Sequence, residues 1–205
     1  MIMRIGIGLW CLQSTATAPR SFPLAYRELI EDAKLAEQVG LESLWLSEHH
    51  AYYDGYCPAL LPVAAAALAA TRALRIGTGV ALLPLVQPAR LRAGAQALHR
   101  RSGGRFELGV GMGYRPVEFE SRDLEFIERR SRMDAGLSVL TSDHVAERPP
   151  MWVGVTSKVA ARRAGRYGLG LMISGAFSKS VVDSFIAAHL ESWKASGCPG
   201  GNAPP

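Results

Sequence analysis

Along this chain, short apolar runs alternate with longer stretches whose apolar residues recur at helical spacing. The runs cover residues 4–9, 44–47, 74–80, 106–111, 151–155 and 169–174. None shows the polar–apolar alternation of a half-buried strand, which fits strands of a parallel sheet covered on both faces. The stretches between them read as helices. In residues 26–39, Tyr26, Ile30, Ala33 and Val39 recur near a 3.6 period and Gly40 supplies a stop. Residues 60–70 are nearly all apolar, as in a helix buried on several sides. Residues 88–100 open with Pro88 and close before Gly103-Gly104. Residues 127–140, 157–167 and 181–195 complete the series.

Six β-then-α units in a row predict an α/β fold with a parallel sheet, closed either as a doubly wound sheet or as a (β/α) barrel. A full eight-unit barrel takes about 250 residues, with ~200 as a lower limit, so a barrel here is two units short. Residues 1–196 are expected to form one domain, followed by a disordered Gly- and Pro-rich tail, 197–205.

Composition narrows the picture. Hydrophobic residues make up 48% of the 205 and charged residues 20%, the balance of a soluble globular domain. The net charge of +5 comes mostly from arginines scattered along the chain, without a basic stripe interleaved with stacking aromatics, so nucleic acid is not an expected partner. Cys11, Cys57 and Cys198 are far apart, with no CxxC pair, which predicts a reducing, cytoplasmic setting. The amino terminus reads as a strand and not as a signal peptide, and residues 59–70 are too short and Ala-rich to span a bilayer, so no membrane association is expected.

Parallel α/β folds place their chemistry at the carboxyl ends of the strands. Sorted by that rule, the polar and Gly-rich groups fall on one face: Glu48-His49-His50, Thr78-Gly79-Val80, Gly111-Met112-Gly113-Tyr114 with Arg115-Pro116, and Gly154 with Thr156-Ser157-Lys158. The opposite ends carry helix stops and turns at Gly40, Gly103-Gly104 and Gly168. Glu48, His49, His50 and Asp54 could be metal ligands, but adjacent histidines on an extended chain point to opposite sides and chelate one ion poorly, so no metal is predicted. The other reading of Glu48 is structural, as a cap or an arginine partner. The Gly109-x-Gly111-x-Gly113 run precedes Tyr114-Arg115-Pro116, which does not read as a helix opening, so a dinucleotide fingerprint is not expected. Its glycines point instead to close approach of a flat ligand or another backbone. Thr156, Ser157 and Lys158 put two hydroxyls and an ammonium at a helix amino terminus, which suits a phosphate; Ser157 as a plain N-cap is the alternative.

Three blocks, "SLWLSEHH", "RIGTGVALLPLVQPARLRAGAQALHRRSGGRFELGVGMGYRPVEF" and "PPMWVGVTSKVAARRAGRYG", together resemble the bacterial luciferase-like monooxygenases over residues 1–175. The resemblance implies a TIM-type (β/α) barrel, shortened to about six units, that binds FMN or the deazaflavin F420. It implies a catalytic base at His49, with Glu48 lining the same pocket and able to hold the histidine's tautomer. Thr78, Gly79 and Val80 would form a bulge under the isoalloxazine, where the family often has a non-proline cis peptide. Gly111, Met112, Gly113 and Tyr114 would form a turn against the flavin, and Gly154, Thr156, Ser157 and Lys158 would hold the phosphate. Met112 stands where luciferase has a phosphate-contacting arginine, which shifts that task to the last three. The implied activity is flavin-dependent oxidation of a small-molecule substrate, with reduced FMN and O₂ supplied through a separate flavin reductase, by a homo-dimer or hetero-dimer. F420-dependent hydride transfer, or a non-catalytic flavin-binding subunit, are the alternatives. By the same resemblance, residues 141–149 are expected to stand in place of the family's longer lid segment, and no counterpart of the family's last two units is expected in the residues after Ala195.

Overall fold

The computed structural model of the protein describes residues 5–10, 14–52, 57–142 and 148–197. The expected roles of Cys11 and Asp54, and the tail 198–205, lie outside them. Seven strands form one sheet, β1 (Gly6–Trp10), β2 (Ser43–Leu46), β3 (Arg75–Thr78), β4 (Ala81–Leu82), β5 (Phe106–Gly111), β6 (Met151–Val155) and β7 (Gly170–Ile173), in the order β1-β2-β3-β5-β6-β7 with β4 beside β5. Every pairing is parallel. The helices are α1 (Phe22–Gln38), α2 (Leu60–Ala70), α3 (Pro88–Arg101), α4 (Pro116–Glu120), α5 (Arg129–Leu140), α6 (Lys158–Arg166) and α7 (Lys179–Ala195). Chain order and sheet order coincide, so right-handed crossovers keep the helices on one face, as in a barrel wall and unlike a doubly wound sheet.

The sheet curls. Three strand spacings of about 4.8 Å separate β2 from β6 along a flat sheet. The rings of Trp45 on β2 and Trp152 on β6 nonetheless meet edge to face at 6.4 Å. Within each strand the two faces differ. Leu44, Leu46, Ile76, Leu108, Val110, Val153 and Val155 are buried in the main core beneath the helices. Trp45, Trp152 and Met172, on the concave side, are only half-buried. The sequence shows no alternation because the concave side carries Trp, Gly and Met in place of polar residues. At its base, the Glu107 carboxylate joins Arg75 Nε (2.5 Å) to Trp152 Nε1 (2.7 Å).

Two local features differ from the sequence expectation. The third predicted strand, 74–80, ends at Thr78. There, as the resemblance implied, a non-proline cis peptide joins Gly79 to Val80, and the chain then pairs with β5 through Ala81 and Leu82. The segment after β5, not expected to open a helix, forms the single turn α4 with Pro116 in its first turn, and a 3-10 turn (Phe126–Glu128) precedes α5. Pro suits a first helical turn, where its missing N–H is unneeded. Helix α1 starts at Phe22, four residues before the periodic stretch, because the Ser21 side chain accepts from Leu24 N–H.

The glycines of β5 answer to the crossing of β3. A Cβ on Gly109 would fall on the Thr78 carbonyl oxygen, and one on Gly111 on Cγ2 of Val80. Replacing Gly109 with Ala is expected to destabilise the protein by about 3 kcal/mol or more, since backbone cannot yield as a side chain can. Gly8→Ala, with nothing within 4 Å, should be nearly neutral; urea unfolding distinguishes the two. A second expectation concerns Glu37, whose carboxylate accepts the N–H groups of Arg72 (2.9 Å), Ala73 (2.6 Å) and Leu74 (2.8 Å) and ties α1 to the turn before β3. The bonds from Ala73 and Leu74 hold its carboxyl below the usual range. A depressed folded-state value stabilises above the unfolded pKa and loses that contribution as pH falls through the folded one. Glu37→Ala should therefore lower stability at neutral pH, by on the order of 1 kcal/mol, and the gap should close in acid below the ordinary carboxylate range.

Candidate active site

The carboxyl end of β2 leads straight into Ser47-Glu48-His49-His50. On extended backbone, side chains two apart share a side and neighbours oppose. Glu48 and His50 accordingly pair with each other, Oε1 to Nε2 at 2.5 Å, both buried. His49 turns the other way and bonds through Nδ1 to Oε1 of Glu118 on α4 at 2.8 Å. The expected Glu48–His49 pair is thus corrected: Glu48 holds His50, and Glu118 holds His49. The other oxygen of Glu48 accepts the Leu82 N–H at 2.8 Å, so this carboxylate also pins β4, just past the Gly79–Val80 bulge.

Glu118 is fully buried. Its Oε1 also accepts the His50 backbone N–H at 3.0 Å, while Oε2 is buried without a partner among the described residues. Two guanidiniums balance the two carboxylates. Arg122 Nη2 lies 3.1 Å from His50 Nδ1. Arg115 donates to the His50 carbonyl at 3.1 Å, sits 3.7 Å from Glu118 Oε1, and stacks 3.8 Å over the Tyr52 ring. The His49 ring lies between Tyr52 at 5.2 Å and Tyr114 at 5.7 Å, and its side chain keeps 14% of its exposure. Partial burial, with Tyr52 and Glu118 nearby, pushes the Tyr114 phenol above its usual range. A histidine anchored on one nitrogen to a buried carboxylate, and reachable at the surface, is equipped to take and return a proton.

The other expected residues divide. Thr78 is fully buried with its hydroxyl donating to the Gly109 carbonyl at 2.7 Å, and Gly111 is buried under Val80, so neither presents a side to a ligand. Met112 packs on the main core. Gly113 takes a positive φ of 76° beside Phe119 and lets the chain turn into α4. Tyr114 is exposed, and Val80 and Gly154 are half-buried side by side. Thr156, Ser157 and Lys158 are exposed at the α6 amino terminus, with Ser157 accepting from Ala160 N–H as N-cap at 3.3 Å. Among the described residues, no three His, Cys, Asp or Glu side chains converge as metal ligands, and no helix is long and apolar enough to cross a membrane. Glu118, Arg115 and Arg122 are the site residues that sequence reasoning did not place.

Comparison with known proteins gives this arrangement its context. Residues 3–203 match the family model described as luciferase-like monooxygenase. The chain is 33% identical over 154 residues to 4-hydroxyprotoasukamycin monooxygenase of Streptomyces nodosus subsp. asukaensis, covering 73% of this chain and 42% of the relative. It is 30% identical over 196 residues to F420-dependent glucose-6-phosphate dehydrogenase of Amycolatopsis mediterranei, covering 80% and 59%. Its fold superposes with a TM-score of 0.79 and 19% identity on the oxygenating constituent of 3,6-diketocamphane monooxygenase from Pseudomonas putida, solved with FMN, covering 98% of this chain and 65% of that one. The chain thus spans about half the length of the curated relatives it matches. With a family model matched over nearly all of its length and a curled parallel sheet of the same fold, the chain belongs to the luciferase-like monooxygenase family.

Proposed function

We propose that this protein is a flavin-dependent monooxygenase that works with reduced FMN, O₂ and a small organic substrate, with His49 as the proton-handling residue. The observation that carries the reading is the His49–Glu118 pair, set at the carboxyl end of the parallel strands beside an open concave face. The residues present fit a flavin. Val80, Trp45, Trp152 and Met172 leave a half-exposed apolar wall for a flat ring system. The first-turn N–H groups of α6, with the exposed Thr156, Ser157 and Lys158, would hold its phosphate, and Gly154 adds no side chain in the way. Bound reduced FMN supplies the electrons that split O₂ between substrate and water. The protein's part is to bind and orient the ring, to keep water from it, and to move a proton at His49 Nε2. Family resemblance supports a separate reductase as the source of reduced flavin. β1 and β7 each have one strand neighbour among the described residues, which supports cover from a partner chain. F420 on the same site is a second reading, supported by the 196-residue match to an F420-dependent dehydrogenase.

Fluorescence titration with FMN, reduced FMN and F420 tests the proposal. Binding of one of them is expected, and binding of none in either redox state defeats it. Lys158→Ala combined with Ser157→Ala should weaken the bound cofactor about tenfold, one lost charge-assisted contact's worth. His49→Gln should leave binding intact and lower turnover about 10²–10⁴-fold. Glu48→Ala should behave differently. It strands the Leu82 N–H and the His50 ring, and should cost about 3 kcal/mol in thermal unfolding.

A further inference from the structure

We infer that Arg115 is a positioning residue: with Glu118 it clamps the two peptide groups that flank His50, holds Ala51 in the left-handed conformation, and so sets the Tyr52 ring against His49. That Tyr52 walls a chemical site rests on the reading above; the clamp does not. Among the described residues only Ala51 (φ 52°) and Asp123 (φ 54°) have a positive φ without being glycine. An aspartate side chain can bond locally and tolerates that region, whereas alanine has no such bond and its Cβ crowds the following carbonyl. Ala51 is exposed, so its methyl gains no burial that would offset the strain. Such a residue persists where the groups around it over-determine the backbone.

The turn into α4 supplies those groups. The His50 N–H donates to Oε1 of Glu118 at 3.0 Å, and Arg115 Nη1 donates to the His50 carbonyl at 3.1 Å. The same guanidinium lies 3.8 Å over the Tyr52 ring. Arg115 therefore grips the chain on both sides of Ala51, at the carbonyl before it and at the ring after it. With those two ends fixed, residue 51 has to bend back, and the Tyr52 ring comes to lie 5.2 Å from the His49 ring. The grip is itself fixed. Arg115 precedes Pro116, which restricts it to extended backbone (φ −101°, ψ 114°). The fully buried Glu118, one turn on, holds the guanidinium at 3.7 Å. Tyr114, across the His49 ring, is 69% exposed, so Tyr52 is the fixed wall of the two.

The test is a double-mutant cycle in melting temperature on the full chain. Glycine at 51 relieves the strain but gives the unfolded backbone more freedom, so Ala51→Gly should raise the melting temperature by about 1–4 °C. In the Arg115→Met background residue 51 is no longer held, only the entropy remains, and the same substitution should lower it. A lower melting temperature for Ala51→Gly in the wild-type background overturns the inference, and so does a gain of the same size in both backgrounds. The second readout is the nuclear Overhauser contact between the Tyr52 and His49 rings, assigned through Tyr52→Phe and His49→Gln. It should be present in the wild type and lost in Arg115→Met; a contact that survives there overturns the positioning role. Where Arg115→Met fails to fold, Arg115→Lys takes its place, because it keeps a charge beside Glu118 but not the planar stack on Tyr52. The ring contact should again be lost and the gain from Ala51→Gly should shrink, and the opposite results overturn the inference as before. A clamp that behaves as expected in a protein that binds no flavin would defeat the functional reading and leave the clamp standing.

Discussion

One buried oxygen, Oε1 of Glu118, takes hydrogen bonds from the His49 ring and from the His50 backbone, and so joins the end of β2 to α4 across about seventy residues of sequence. Glu48 makes a matching link from the same loop to His50 and to Leu82 beyond the bulge after β3. The two carboxylates lock three neighbouring strand ends into one geometry. Each is buried, so each is costly unless its bonds are made, and a change at either is felt by both the fold and the site.

That geometry depends on the sheet being parallel and curled. Parallel strands deliver their carboxyl ends to one rim, and curling brings β2 within ring contact of β6. Small residues make the curl possible. Gly109 and Gly111 admit the backbone of Thr78 and the side chain of Val80, and Gly77 and Gly170 admit the indoles of Trp45 and Trp152. Of the two readings of this glycine run, a flat ligand or another backbone, Gly109 and Gly111 answer to the second: they make room for the protein's own chain.

The elements with strong local patterns were legible. β5 and β6 and the apolar α2 fall where the runs of residues predicted them, because each run ends at a Gly, Pro or polar cluster. The third strand was read too long because its apolar run continues through Val80; only the family resemblance pointed to the bulge at Gly79-Val80, where pairing breaks. Glu118 was missed because a single-turn helix has no periodicity to show; its one signal was Pro116 as a first-turn residue. The pairing of Glu48 was misassigned to its sequence neighbour. The correct partner, His50, follows from the two-residue period of an extended chain, and the same rule sends His49 elsewhere. Finding Glu118 as its partner needed the fold, since the contact is long-range.

The central claim is that a flavin sits on the concave rim between the β5–α4 turn and the start of α6. Hydrogen–deuterium exchange with and without reduced FMN tests it at the level of single segments. The account predicts slowed exchange in residues 111–115 and in the first turn of α6, at residues 158–161. Slowing confined to the cleft between α1 and α2, lined by Tyr26, Ile30 and Val63, or no slowing at either rim segment with FMN bound, would contradict it.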